Sequence, residues 1–203
     1  AAVQTDLKRM LAYSSISHAG FILVGVEAAG HVGGNDPGRG MSSALLYTLL
    51  YGVLASGSFA IVGVVSRTGE QRTDVGALRG LSREKPLLAV GFTVLLLAQA
   101  GVPLTSGFIA KFGVIQAAVG ENSYAVALIA MVAAVIAAFV YLRIMIAMWI
   151  AEPEPGDAER EPVTVPLATA VAVTAAVMFT LVVGVLPSWL IDASREVVAL
   201  ALR

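Results

Sequence analysis

Of 203 residues, 58% are hydrophobic and only 13% charged, a balance that excludes an ordinary soluble domain and suits a chain that lives in a bilayer. A net charge of −1 gives no electrostatic basis for binding nucleic acid. The lack of cysteine removes disulfides, thiolate metal sites and cysteine nucleophiles, and two histidines without an acidic cluster predict no metal or haem site.

Residues 1–9 (AAVQTDLKR) carry no secretory signal and read as the end of one helix and a short turn, so the chain is expected to be a piece of a longer one. Charge-free apolar runs follow at 10–26, 40–66, 86–110, 122–142 and 162–191. Each reaches the roughly 17–25 residues that a spanning helix needs. The expected architecture is all-α and polytopic, with transmembrane helices at about 10–29, 41–66, 86–117, 122–150 and 163–187. Residues 30–40 (GHVGGNDPGRG) form a turn-rich loop, and Pro153, Pro155, Pro162 and Pro166 bracket the last connection. The tail 188–203 is expected to lie amphipathically at the interface, anchored by Trp189.

The first helix contains Ser14, Ser17 and His18 at i, i+3 and i+4, which is expected to place all three on one face. An imidazole near the middle of a span can hold or pass a proton at neutral pH, and hydroxyls can relay one through water. Small and hydroxylated residues also suit plain helix packing, and for the two serines that reading competes directly. Tyr47 and Tyr51, one turn apart on the second helix, suit aromatic packing or the lining of a path.

The third helix is the unusual one. Unbroken from 86 to 116 it would be about 46 Å long, against a hydrocarbon core of about 30 Å. Gly101 and Pro103, followed by Thr105, Ser106 and Gly107, predict a break near 101–106. Irregular backbone at that depth survives only where protein or a wet cavity covers it. Lys111 lies beyond the break, and an ammonium there costs roughly 2.5–3.5 kcal/mol unless it finds a partner or water. Its helix offers no acid, and the acid nearest an apolar run is Glu27, at the end of the first helix. A broken helix with one lysine reads as part of an ion or proton path. Arg143, near the end of the fourth helix, can snorkel to the interface and is given no functional role.

Lys8 and Arg9 precede the first helix, and Arg67, Arg72, Arg79, Arg83 and Lys85 lie between the second and third. The connections on the other side hold only Arg39. The positive-inside rule therefore predicts residues 1–9 and 67–85 in the cytoplasm and the C-terminus outside. The acidic loop with Glu152, Glu154 and Asp157 also falls inside, since acids count little in that rule.

Two motifs carry a family resemblance. Asp6-Leu-Lys8-Arg9-Met-Leu-Ala-Tyr13-Ser-Ser-Ile-Ser-His18-Ala-Gly20 resembles a segment joining two helices in the antiporter-like subunits of proton-pumping NADH–quinone oxidoreductase, respiratory complex I. Gly80-Leu81, Pro86, then Ala100-Gly-Val-Pro103-Leu-Thr105-Ser-Gly107-Phe-Ile-Ala-Lys111-Phe resembles that family's discontinuous helix, and the likeness runs in order across roughly residues 4–190. One subunit type carries Gly-Phe-Ile-Gly-Lys-Phe there, with Ala110 replacing the second glycine in this chain, and another has glutamate at the Lys111 position.

The resemblance implies the C-terminal half of a fourteen-helix antiporter-like fold in a bacterial cell membrane, with the earlier half of an inverted repeat lying outside these residues. It implies a proton-translocating subunit in which Lys111 ends an outward half-channel and His18 lies on the hydrated axis leading to it. Ser14, Ser17, Tyr51 and Thr105 would line the path, and Gly101 and Pro103 would break the helix. The chain would hold no cofactor of its own, with NADH, flavin, iron–sulfur clusters and quinone elsewhere in the complex. Its partners would be other membrane subunits, including neighbouring antiporter-like ones, and lipid. A subunit of a multi-subunit cation/proton antiporter or of a membrane-bound hydrogenase shares these motifs, and a purely structural membrane subunit is the third reading.

Overall fold

A computed structural model describes residues 1, 3–31, 36–66, 74–151 and 163–201. The expected loop positions Arg67, Arg72, Glu152, Glu154, Asp157, Pro153, Pro155 and Pro162, and most of the turn after Gly30, lie outside these described residues.

The first helix, α1 (Leu7–Ala29), begins three residues before the apolar run because Asp6 caps it, its carboxylate accepting from the Arg9 amide. Residues 7–9 are thus the first turn of α1 rather than a connecting turn. The second helix, α2 (Pro37–Val65), starts four residues earlier than expected for the same reason: Asp36 caps it and proline occupies its first turn, where no N–H is needed. A 3-10 turn at Val75–Leu78 and a single-turn helix α3 (Leu81–Glu84) occupy the basic connection. The broken third span consists of α4 (Pro86–Ala100) and α5 (Ser106–Gly120). Then come α6 (Tyr124–Trp149), α7 (Leu167–Val185) and α8 (Ser188–Ala201).

Four of these helices are long and apolar enough to cross a membrane by themselves: α1, α2 from Gly38, α6 and α7. The halves α4 and α5 have 15 residues each, about 22 Å, and neither spans alone. They meet side by side, because a Cβ on Gly107 in the first turn of α5 would lie 1.8 Å from the Ala98 carbonyl oxygen in the last turn of α4. The facing ends of the two half-helices are therefore in direct backbone contact. The amphipathic tail expected from the sequence is the helix α8, whose Leu190 and Ile191 pack on the bundle while Trp189 is half exposed.

The apolar interior divides into two clusters. One joins Leu7, Met10 and Leu11 of α1, Leu54 and Ile61 of α2, Phe92 and Leu96 of α4, and Tyr141 and Ile144 of α6. The other joins Phe21, Leu46, Tyr47, Leu50, Ala110, Val114, Ala130 and Val183. The buried polar side chains His18 and Lys111 fall where these clusters meet.

Candidate functional site

The site is built around the end of α4. Gly101 takes φ +91°, a left-handed conformation open to glycine, and its N–H returns to Leu97 and Ala98 while Val102 N–H also reaches Leu97. This cap leaves the Gln99 and Ala100 carbonyls without helical partners. In a continuing helix the Gln99 carbonyl would accept from the N–H of residue 103, which is proline and has none. Leu104 follows at φ 66°, a strained conformation for a branched side chain, and Thr105 restarts the helix by capping α5, its hydroxyl accepting from Phe108 N–H.

Lys111 takes both orphaned carbonyls. Its Nζ donates to Gln99 O at 2.8 Å and to Ala100 O at 2.9 Å, at the end where the α4 dipole is negative. The Phe21 ring covers another side of the ammonium, 5.2 Å away. Lys111 is 5% exposed, so these groups replace its hydration. Glu27, the acid singled out from the sequence as a possible partner, does not take part: it accepts from Ser123 Oγ at 2.8 Å and meets His31 Nδ1 at 3.2 Å, at the end of α1.

His18 is likewise buried and has both ring nitrogens engaged. Nδ1 shares a hydrogen bond with Tyr47 Oη at 2.8 Å and Nε2 one with Tyr141 Oη at 2.9 Å. A neutral imidazole donates through one nitrogen and accepts through the other, so one phenol receives a proton and the other gives one. Tyr141 Oη also bonds Ser14 Oγ, which extends the row to Ser14–Tyr141–His18–Tyr47. Tyr51 stacks flat on His18, centroids 4.0 Å apart and 13° between planes, and donates to Ser15 Oγ at 2.7 Å. Ser15 passes the contact to the Leu11 carbonyl.

Of the residues expected from the sequence, Lys111, His18, Ser14 and Tyr51 come together here. Ser17 does not. It is exposed, because Ser14 and His18 differ by about 40° around α1 whereas Ser17 sits about 100° from His18. Thr105 touches neither group; its hydroxyl also donates to Val102 O at 2.6 Å and shapes the break. Tyr47 is a hydrogen-bond partner rather than only an aromatic packer. Arg143 donates to the Gln4 carbonyl at 3.0 Å, near the start of the described chain.

Residues 1–137 match the family described as NADH:quinone oxidoreductase/Mrp antiporter, TM. The chain belongs to this family. Among its curated relatives, NADH-quinone oxidoreductase subunit N of Rhodococcus opacus is 42% identical over 197 residues, 97% of this chain and 35% of the relative. Subunit N 3 of Streptomyces griseus is 43% identical over 196 residues, 97% of this chain and 34% of the relative. The chain therefore spans about a third of the length of the curated relatives it matches. A chain of respiratory complex I from Thermus thermophilus superposes with a TM-score of 0.76 at 30% identity, covering 94% of this chain and 40% of that one. A chain of the Mrp complex from Dietzia shares the fold, with a TM-score of 0.82 at 22% identity over 98% of this chain and 43% of that one.

Within this NADH:quinone oxidoreductase/Mrp antiporter chain, three groups escaped the sequence reading. Tyr141 lies 123 positions from His18, and its signal was a phenol in an apolar run, where a buried hydroxyl needs a partner. Gln99 sends its side-chain amide to Ser58 Oγ at 2.7 Å, tying α4 to α2 beside the lysine cradle. Thr180 on α7 accepts from Ser106 Oγ at 3.4 Å, and Gly184 one turn on lets the Leu104–Thr105 backbone lie against α7.

Proposed function

We propose that this chain forms the outward half-channel of a proton-translocating antiporter-like subunit, of the subunit N type, in an NADH–quinone oxidoreductase. The observation that carries the reading is a buried lysine, on a discontinuous membrane helix, whose ammonium rests on two backbone carbonyls instead of an acid. A carboxylate partner would lock the charge in place, whereas carbonyls hold the ammonium and have no site for its proton. The two carbonyls occupy two of the three ammonium N–H groups, and the third is left to pass its proton on.

In this reading a proton approaches along Ser14, Tyr141 and His18, loads Lys111, and leaves along α5. Each transfer is driven by repulsion from the next charge to arrive, a chain of coupled titrations. Electron transfer takes place on other subunits, which hold NADH, flavin, iron–sulfur clusters and quinone, and neighbouring antiporter-like subunits pack alongside within the lipid. Residues 1–9 and 67–85 face the cytoplasm of a bacterial cell and the C-terminus faces outward.

The test is Lys111→Met in the full-length subunit in its native membrane, with NADH-driven proton uptake measured in inverted vesicles. Loss of uptake with the complex assembled and still oxidising NADH supports the assignment. Uptake at the wild-type rate removes Lys111 from the path and moves cation/proton antiport or a structural role ahead.

A further inference from the structure

The hydrogen-bonded row from Ser14 ends at Tyr47, and Lys111 sits in its own cradle. Among the described residues no hydrogen bond joins the two. What touches both is Phe21. Its ring is buried, lies parallel to Tyr47 at 5.9 Å and 10°, stands 6.2 Å from the His18 ring, and carries the Lys111 ammonium 5.2 Å from its centroid. A phenyl ring neither donates nor accepts a transferable proton, so the row is interrupted at this point.

We infer that Phe21 is a valve that senses the charge on Lys111, an inference that rests on reading Lys111 and His18 as a proton path. The face of an aromatic ring attracts a cation within about 6 Å, and more strongly where water is excluded. A protonated Lys111 therefore holds the ring between itself and His18, and the proton it carries cannot run back. An unprotonated amine exerts no such pull. The ring is then kept in place only by its stacking on Tyr47 and its packing with Leu46, Leu50 and Val114, and water can enter to bridge His18 to the amine. The valve opens to an empty lysine and closes on a loaded one. The titratable side chains against the ring are His18 on α1, Tyr47 on α2 and Lys111 on α5, with Tyr51 and Tyr141 reaching it only through His18, and Lys111 presents an ammonium to the ring face.

The experiment uses the full-length protein in its assembled complex, in inverted membrane vesicles, with two readouts: proton uptake per NADH oxidised, and passive decay of an imposed pH gradient without NADH. Phe21→Ala keeps NADH oxidation, lowers uptake per NADH, and makes the gradient decay several times faster. Adding Lys111→Met to Phe21→Ala returns the decay to the wild-type rate, because the leak runs through the lysine. Phe21→Leu restores bulk without a ring face, so no charge holds the side chain in place: the gradient still decays faster than in wild type, though less than in Phe21→Ala, and uptake stays low. Phe21→Ala vesicles as tight as wild type with full uptake overturn the valve, and so does a leak that Lys111→Met leaves untouched. Lys111→Met alone separates the two failures. Tight Phe21→Ala vesicles with uptake lost in Lys111→Met overturn the valve and leave the lysine assignment standing, whereas full uptake in Lys111→Met overturns both.

Discussion

The carbonyl of Gln99 accepts from Lys111 Nζ at 2.8 Å, and that carbonyl is free because its helical partner would have been Pro103. Pro103, just beyond the Gly101 cap of α4, therefore leaves free the acceptor that holds the lysine of α5. Helix break and ammonium site are one feature of the backbone, separated by a five-residue connection.

Pro103→Ala follows directly from this. An N–H at 103 competes for Gln99 O, although the left-handed Gly101 still caps α4. The ammonium then loses a charge-assisted hydrogen bond, worth about 1.5–3 kcal/mol. Proton uptake per NADH is expected to fall while NADH oxidation continues, measured together in inverted vesicles.

Glycines at the break have different tolerances. Gly107→Ala places its Cβ 1.8 Å from Ala98 O, and Gly184→Ala places one 2.2 Å from Leu104 O, so backbone must move in both. Overpacking of this kind costs about 1–3 kcal/mol and sometimes more. Gly63→Ala meets nothing within 4 Å and is expected to change stability by less than about 1 kcal/mol. Thermal unfolding of the detergent-solubilised subunit should rank the three variants in that order.

Tyr141→Phe removes one hydroxyl and strands two partners, His18 Nε2 and Ser14 Oγ. Each unsatisfied buried group costs about 1–3 kcal/mol. Tyr47→Phe strands only His18 Nδ1. The larger loss of uptake, and of thermal stability, is expected for Tyr141→Phe.

The Gln99–Ser58 contact is a hydrogen bond between membrane helices, and such bonds average only about 0.6 kcal/mol. A double-mutant cycle of Ser58→Ala and Gln99→Ala on unfolding free energy should return a coupling of about that size. A coupling near zero would show that the contact does nothing to hold α4 against α2.

What could be read in advance tracks how local each signal is. The break was legible because Gly101 and Pro103 act on their own backbone, and Lys111 stood out because a charge in a hydrocarbon run is expensive. The helix starts moved outward to Asp6 and Asp36 because side-chain caps extend a helix beyond its apolar stretch. The lysine's acceptors were half legible: proline four residues after Gln99 announces an orphaned carbonyl, but not which donor will find it. Tyr141 was not legible, because only the packing of α6 against α1 brings it to His18. Ser17 was misplaced because i, i+3 and i+4 spacing makes neighbours on a helix without saying which of them the next helix covers.

The row Ser14–Tyr141–His18–Tyr47 has one further property. Every hydrogen bond in it points one way or the other along the chain, and a proton that hops through leaves the whole row reversed. A second proton cannot follow in the same direction until each hydroxyl has rotated and the imidazole has exchanged tautomers. Both ring nitrogens of His18 are held by phenols, so the imidazole takes part in that resetting together with Tyr47 and Tyr141. A proton relay along this row, as proposed above, is therefore refractory after each passage, and the time its hydrogen bonds need to turn back limits how often it can fire.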